Sequence, residues 1–509
     1  MIARIHSAAI VGIDAVPCEV EVDIARGGFE RSTIVGLPDQ AVKESIERVR
    51  SAITNCGYPY PRTASIINLA PADIKKEGPS FDLPISLCML AGQAVVQRDI
   101  LNQTVVLGEL ALDGRVRSVR GVLATALMAR QQGFKNFIVP ADNAQEAAVV
   151  QDIEAIPVSS LTEAVGFLNG QLALEPAQID IDAVFQQASK YEVDFSDVKG
   201  QESVKRALTV ASAGNHNILM IGPPGTGKTM LAQRLATILP ALSLAESLET
   251  TRIYSALGLL GKDKSLFATR PVRMPHHSAS GPALIGGGTS PRPGELSLAH
   301  FGILFLDEFA EFPRHVLEMI RQPLEDGTVT VARAKGSITF PAQFLLVAAM
   351  NPCLCGYYGS TTRKCKCTPN QIERYLSKLS GPLLDRIDIH IDVPDVGFRK
   401  LRSPHDQQGS AAMRDEVMRA RQTQHLRFGS NHTMTNARMS HKQVEKFCRL
   451  DPSGEMMLKQ AMSELGLSAR AHDKVCKVAR TIADLTGVEE IKAEHLAEAI
   501  NYRKLDRKY

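Results

Sequence analysis

Nowhere in the 509 residues does an apolar run reach the length that a membrane-spanning helix needs, roughly 18 residues. A membrane-embedded transporter or channel is therefore not expected. The opening stretch, Met1 to Asp14, has early charge and lacks a long apolar core followed by a small-residue cleavage site. It does not read as a signal peptide, and a cytoplasmic location is expected. Neither sign of charge dominates: 58 basic against 55 acidic residues leave a formal net charge of +3. That balance neither demands nor excludes nucleic acid, so any basic surface must be local. Internal repeats and low-complexity tracts are also missing. Cysteine is sparse and odd in number at nine, and four of the nine crowd into Cys353 to Cys367. An odd, clustered set in a cytosolic chain points to metal rather than to disulfides.

What is present is ordinary globular sequence, 44% hydrophobic and 22% charged. The length allows three or four domains. Residues 1–170 alternate short β-prone runs, such as Ser65 to Ala70, Thr104 to Gly108 and Asn136 to Pro140, with helical stretches at Asp39 to Cys56 and Gly121 to Gln132. This predicts an α/β domain. Residues 171–194 lose periodicity and read as a linker with a short helix. A second α/β region spans 195–400. Its near-continuous apolar runs, Asn217 to Ile221, Gly302 to Leu306 and Phe344 to Met350, suit parallel strands covered on both faces. Residues 401–509 are helical in pattern, with Ser468 placed to cap a helix that Gly487 ends.

Gly222, Pro223, Pro224, Gly225, Thr226, Gly227, Lys228 and Thr229 fit G-x-x-x-x-G-K-[ST]. The run follows an apolar strand and opens an apolar helix, the context that a phosphate-binding loop requires. Its glycines let backbone N–H groups turn inward around phosphate oxygens, and the helix N-terminus adds a positive field. Lys228 is expected to reach the β- and γ-phosphates and Thr229 to hold Mg²⁺. Downstream, Ile303 to Leu306 is an apolar run ending in Asp307 and Glu308. Asp307 is placed to hold Mg²⁺, and Glu308 to polarise the attacking water. Adjacent acids favour ATP hydrolysis over binding alone.

These motifs resemble the AAA+ ATPases, and that resemblance implies three further roles. Asn351, at the end of the next strand, takes the place of the polar residue that aligns the lytic water. Arg386, in Gly381 to Asp388, resembles the arginine finger that reaches a neighbouring subunit's γ-phosphate. Arg470, in Ser468-Ala-Arg470, resembles the second sensor. Arg270 to Ser280, Ile285 to Gly288, Pro293 to His300 and Arg321 to Gly327 resemble the magnesium-chelatase-related branch. Within it, the similarity is to the bacterial ComM/YifB competence family. Membership implies a homo-hexameric motor that uses ATP to drive branch migration of recombination intermediates on single- and double-stranded, branched DNA during natural transformation. Two alternatives stay open, a protein-remodelling ATPase and a chelatase-like metal inserter. The second would not be expected to carry this N-terminal domain.

Residues Lys76 to Asp82 and Leu107 to Arg115 resemble the proteolytic domain of Lon and the Lon-like domain of RadA. Ser80 falls at the nucleophile position, but Leu123 stands where Lon places its lysine base. Leucine accepts no proton, so a Lon-like fold without protease chemistry is expected.

Cys353-Leu-Cys355 and Cys365-Lys-Cys367 offer four thiolates, enough for tetrahedral Zn²⁺. The C-x-C spacing is tighter than usual, and free cysteines or a redox pair are the alternatives. Gly327 to Phe340 reads as a hairpin with Arg333-Ala-Lys-Gly336 at its turn. It resembles the pore-facing hairpin of helicase-like AAA+ proteins, so Arg333 and Lys335 are expected at DNA phosphates. An ordinary solvated hairpin is the alternative. The glycine-rich stretch from Ile285 to Thr289 is a second candidate pore loop. His276 and His277 are too few for a metal site and read as structural or loop-positioning residues.

Overall fold

A computed structural model describes residues 2–27, 29–188, 191–261, 264–288, 290–333, 336–360, 363–396, 408–429, 433–465 and 468–503. The chain folds into two compact units. The first comprises Met1–Gln187 together with Leu244–Ala268, and the second Ala188–Ser243 with Thr269–Tyr509.

The first unit is built on a seven-stranded mixed sheet. Across it run Ser32–Val35, Ser65–Ala70, Asp14–Ile24, Ile2–Val11, Thr104–Val106, Asn136–Pro140 and Glu154–Val158. Ile2–Val11 and Asp14–Ile24 form a long antiparallel hairpin, paired from Ile2↔Asp23 to Val11↔Asp14. Helix Asp82–Gly92 buries every residue but its last. Its sequence is apolar all round, as a helix enclosed by other elements must be. Its one carboxylate, Asp82, accepts from Arg48 Nε at 2.7 Å and Nη2 at 3.0 Å and from the Leu110 amide at 3.2 Å. Burial pushes the Asp82 carboxyl upward, and Arg48 opposes that shift. Ser80 lies in the turn before this helix, where its carbonyl accepts from the Gly108 amide. Leu123 is fully buried in helix Val122–Gln131. Lys76 is also buried, its ammonium donating to the Pro71 carbonyl.

Leu244–Ala268 lies within the stretch expected to form a continuous ATPase core, yet it packs in the first unit. Helix Leu244–Leu257 supplies Ser255, which hydrogen-bonds the buried Glu146 carboxylate, and Arg252, which pairs with Asp14 at 3.0 Å.

The second unit carries a five-stranded parallel sheet in the order Val272–Arg273, Ile303–Leu306, Leu345–Met350, Ile218–Ile221, Ile389–Asp392. The first of these strands in sequence, Ile218–Ile221, is thus interior, between Leu345–Met350 and Ile389–Asp392, and its four residues are all buried. So are those of Ile303–Leu306 and Leu345–Met350. Fully burying an aliphatic side chain contributes about 1.5–3 kcal/mol, which gives these runs their anchoring power. Helices Ser410–Phe428, His441–Phe447, Pro452–Leu465, Ala469–Thr486 and Ala493–Asn501 make up the C-terminal region. The Ser468 hydroxyl caps Ala469–Thr486 through the Ala471 amide, and Gly487 ends it at φ +70°. Among the described residues, no helix is long and apolar enough to cross a membrane.

Candidate functional site

Parallel α/β sheets place ligands beyond the carboxyl ends of their strands. Three of those ends converge here. Ile218–Ile221 runs into the loop from Gly222 to Gly227, and helix Lys228–Arg234 begins immediately after it. Gly225 and Gly227 have φ of +83° and +84°, a conformation that side chains resist, so glycine is required at both. Gly222 meets a different constraint: a Cβ there would lie 2.4 Å from the Val393 carbonyl oxygen.

A cavity of about 400 Å³ is lined by Pro224 to Met230, Asp307, Glu308 and Asn351. Lys228 Nζ donates to the carbonyls of Gly222 at 2.7 Å and Pro223 at 2.9 Å, and lies 3.4 Å from Asn351 Oδ1. Burial pushes the Lys228 ammonium pKa down, while Asp307 and Asp395 act to hold it up. The Thr229 hydroxyl donates to Asp307 Oδ2 at 2.7 Å. A hydroxyl and a carboxylate converging beside a phosphate-binding loop suit Mg²⁺, which prefers oxygen ligands. Thr229 and Asp307 would hold that ion, and it would neutralise charge on the β- and γ-phosphates.

Glu308 sits at φ +51°, the left-handed region, where a side-chain-bearing residue costs of order 1–3 kcal/mol. The turn is braced by the Glu308 amide donating to Asp307 Oδ1 at 2.9 Å. Its carboxylate meets His277 Nδ1 at 2.9 Å. Reading His277 as a loop-positioning residue therefore missed its partner. The histidine follows the edge strand Val272–Arg273 and lines a second cavity, of about 240 Å³, with Asp307 and Glu308. No sequence spacing links it to Glu308, because strand order brings them together. Gln201 was also missed. Its Nε2 donates to the Thr226 carbonyl at 2.9 Å and steadies the loop from behind.

The other candidate residues lie elsewhere. Arg386 pairs with Glu325 of its own chain and donates to the Pro382 carbonyl. Arg470 is exposed in the first turn of Ala469–Thr486. Neither lines the cavity around Lys228. The four cysteines converge, their sulfurs all within 4.8 Å of one another. Strands Thr328–Arg333 and Gly336–Pro341 form the expected hairpin, with Arg333 opposite Gly336. Arg333 is exposed, and its Nε approaches the Gly288 carbonyl at 3.4 Å, so the two candidate pore segments meet. Lys335 lies outside the described residues.

Comparison with known proteins agrees with this geometry. Residues 194–401 match the family described as magnesium chelatase, subunit ChlI, and residues 407–503 its C-terminal part. Residues 20–143 match a family described as subunit ChlI of Mg-chelatase. The N-terminal region thus also carries a chelatase family description, and by itself does not set this chain apart from that group. Coverage does. The magnesium-chelatase 38 kDa subunit of Rhodobacter capsulatus is 27% identical over only 31% of this chain. Competence protein ComM of Haemophilus influenzae is 44% identical over 99% of this chain and 98% of its own length. The Escherichia coli protein YifB is 43% identical over 99% and 97%. With a cavity lined by Pro224 to Met230, Asp307, Glu308 and Asn351, and similarity along its whole length, the chain belongs to the ComM/YifB family of magnesium-chelatase-related AAA+ ATPases.

Proposed function

We propose that this protein is an ATP-driven DNA translocase that promotes branch migration of recombination intermediates, working in the cytoplasm as a homo-hexameric ring. In this reading Lys228 and Thr229 grip ATP and Mg²⁺, Glu308 activates water, and Asn351 aligns it. Arg386 from a neighbouring subunit and Arg470 complete the site. The domains are 1–170, Lon-like and without protease chemistry; a linker at 171–194; the ATPase core at 195–400, from which Leu244–Ala268 departs to pack in the first unit; and a helical lid at 401–509. Cys353, Cys355, Cys365 and Cys367 hold zinc.

The observation that carries the reading is the exposed Arg333 hairpin touching the Gly288 loop. An exposed arginine on such a hairpin suits phosphate backbones, giving salt-dependent binding indifferent to sequence. The full-length likeness to a protein named for competence supports DNA as the substrate. A protein-remodelling pore would favour an aromatic–hydrophobic pair, and Ile285 to Gly288 has none.

The test measures ATP hydrolysis with single-stranded DNA, double-stranded DNA, unfolded protein or no addition. Stimulation by DNA alone is expected. Charge reversal of Arg333 and Lys335 together is expected to weaken DNA binding while nucleotide binding is kept. Stimulation by unfolded protein instead, or unchanged DNA affinity at moderate salt, counts against the reading.

A further inference from the structure

The cysteine cluster is bound up with the nucleotide site. Sulfur–sulfur distances are 3.4 Å for Cys353 to Cys355, 3.7 Å for Cys353 to Cys365 and 3.5 Å for Cys355 to Cys365. Zinc–thiolate bonds of about 2.3 Å in a regular tetrahedron set sulfurs about 3.8 Å apart, whereas a disulfide needs about 2.05 Å. All four cysteines are free thiols. The amides of Cys355 and Cys367 each point at a cluster sulfur, on Cys367 and Cys365, both at 3.4 Å. Such N–H contacts fit thiolates better than neutral thiols.

Gly356 follows Cys355 and sits at φ +84°, where a side chain is strained. A Cβ there would come within 2.8 Å of Pro224 Cδ and 3.9 Å of Asn351 Cγ. The turn is closed by the Gly356 amide donating to the Cys353 carbonyl at 3.0 Å. On the other side of the cluster, Cys367 leads directly into helix Pro369–Leu376, capped by Thr368. Tyr375 of that helix is buried, with its hydroxyl near the Asn351 backbone. The cluster therefore adjoins Pro224 and Asn351 through Gly356, and the helix that follows it brings Tyr375 near the Asn351 backbone.

We infer that zinc held by Cys353, Cys355, Cys365 and Cys367 fixes the position of Pro224 and Asn351, so that ATP hydrolysis rather than ATP binding depends on the metal. The inference rests on the reading of Gly222–Thr229 as a hydrolysing ATP site and is independent of the DNA reading. Lys228, Thr229 and the loop amides supply the grip on phosphate, and none of them touches the cluster. Asn351 contributes to orienting water, where small displacements are costly: about 1 Å costs about 10² in rate.

The test uses the full chain purified in metal-free buffers. Zinc content, affinity for a fluorescent ATP analogue and steady-state hydrolysis, with and without DNA, are measured for wild type, Cys365→Ser and Gly356→Ala. Wild type is expected to carry about one zinc per chain. Cys365→Ser is expected to lose the metal and about tenfold or more in kcat, with analogue affinity within about threefold of wild type. Gly356→Ala keeps all four thiolates, so it is expected to retain zinc and still lose kcat. Wild type without zinc overturns the inference, and so does metal loss with unchanged hydrolysis. If affinity and hydrolysis fall together in both variants, the cluster merely holds the domain, and the inference is also overturned. Wild-type hydrolysis that ignores DNA would sink the translocase reading and leave this one standing.

Discussion

Lys228, Asp307 and Glu308 each have a role set by what their own atoms touch. Lys228 donates to backbone carbonyls, Asp307 accepts a hydrogen bond from the Thr229 hydroxyl, and Glu308 is held at the cavity edge by His277. Replacing Glu308 with glutamine keeps shape and removes the proton acceptor. ATP binding is expected to persist while kcat falls about 10²- to 10⁴-fold, as read by single-turnover hydrolysis beside analogue binding. His277→Ala leaves the carboxylate in place but frees its rotamer. A several-fold loss in kcat at unchanged nucleotide affinity is expected, and unaltered kcat would show that the His277–Glu308 pair is idle. The acids and the loop were legible in the sequence, because each motif is contiguous and sits at a strand end. His277 was not legible, because its partner lies 31 positions later and depends on Val272–Arg273 lying beside Ile303–Leu306.

At the scale of elements, buried apolar runs marked three of the five parallel strands to within a residue or so, and left Val272–Arg273 and Ile389–Asp392 unmarked. Gly302 to Leu306 was expected where Ile303–Leu306 forms, and Phe344 to Met350 where Leu345–Met350 forms. The hairpin at 328–341 was likewise visible in its alternation and its turn. What the pattern did not show is how the last strand of the core is secured. Asp388, just before Ile389–Asp392, pairs with Lys474 of helix Ala469–Thr486 at 2.8 Å and faces His216 at 3.4 Å. Burial pushes the Asp388 carboxyl upward, but Lys474 and His216 outweigh it and hold the group well below the usual carboxylate range. Lys474→Met strands a buried carboxylate. A loss of about 3–5 kcal/mol in unfolding free energy is expected from denaturant titration. A change under about 1 kcal/mol would mean that water reaches Asp388 and that the pair binds the helix to the sheet only weakly.

For the whole molecule, the open question is which contacts belong to one chain and which to an assembly. Arg386 is engaged with Glu325 of its own chain and does not line the cavity around Lys228. If it serves a neighbour, two inactive variants should rescue one another. Arg386→Ala retains the phosphate loop and lacks the finger, whereas Lys228→Ala is the reverse. Random mixing in equal amounts restores about a quarter of the subunit junctions, so hydrolysis above the sum of the separate variants is expected. Mixtures no more active than their components would confine Arg386 to a structural pair with Glu325.

The sequence by itself determined the chemistry that is local: the phosphate loop, the paired acids, the cysteine cluster and the capped helix at Ser468. Each rests on neighbouring residues whose backbone conformation and side chains act within one turn or one strand end. Only the tertiary structure decided that Leu244–Ala268 belongs with the first unit, that His277 holds Glu308, and that Gly356, beside the cysteine cluster, lies close against Pro224. Those contacts join segments far apart in the chain. They arise from strand order and close packing, which no local pattern of residues encodes.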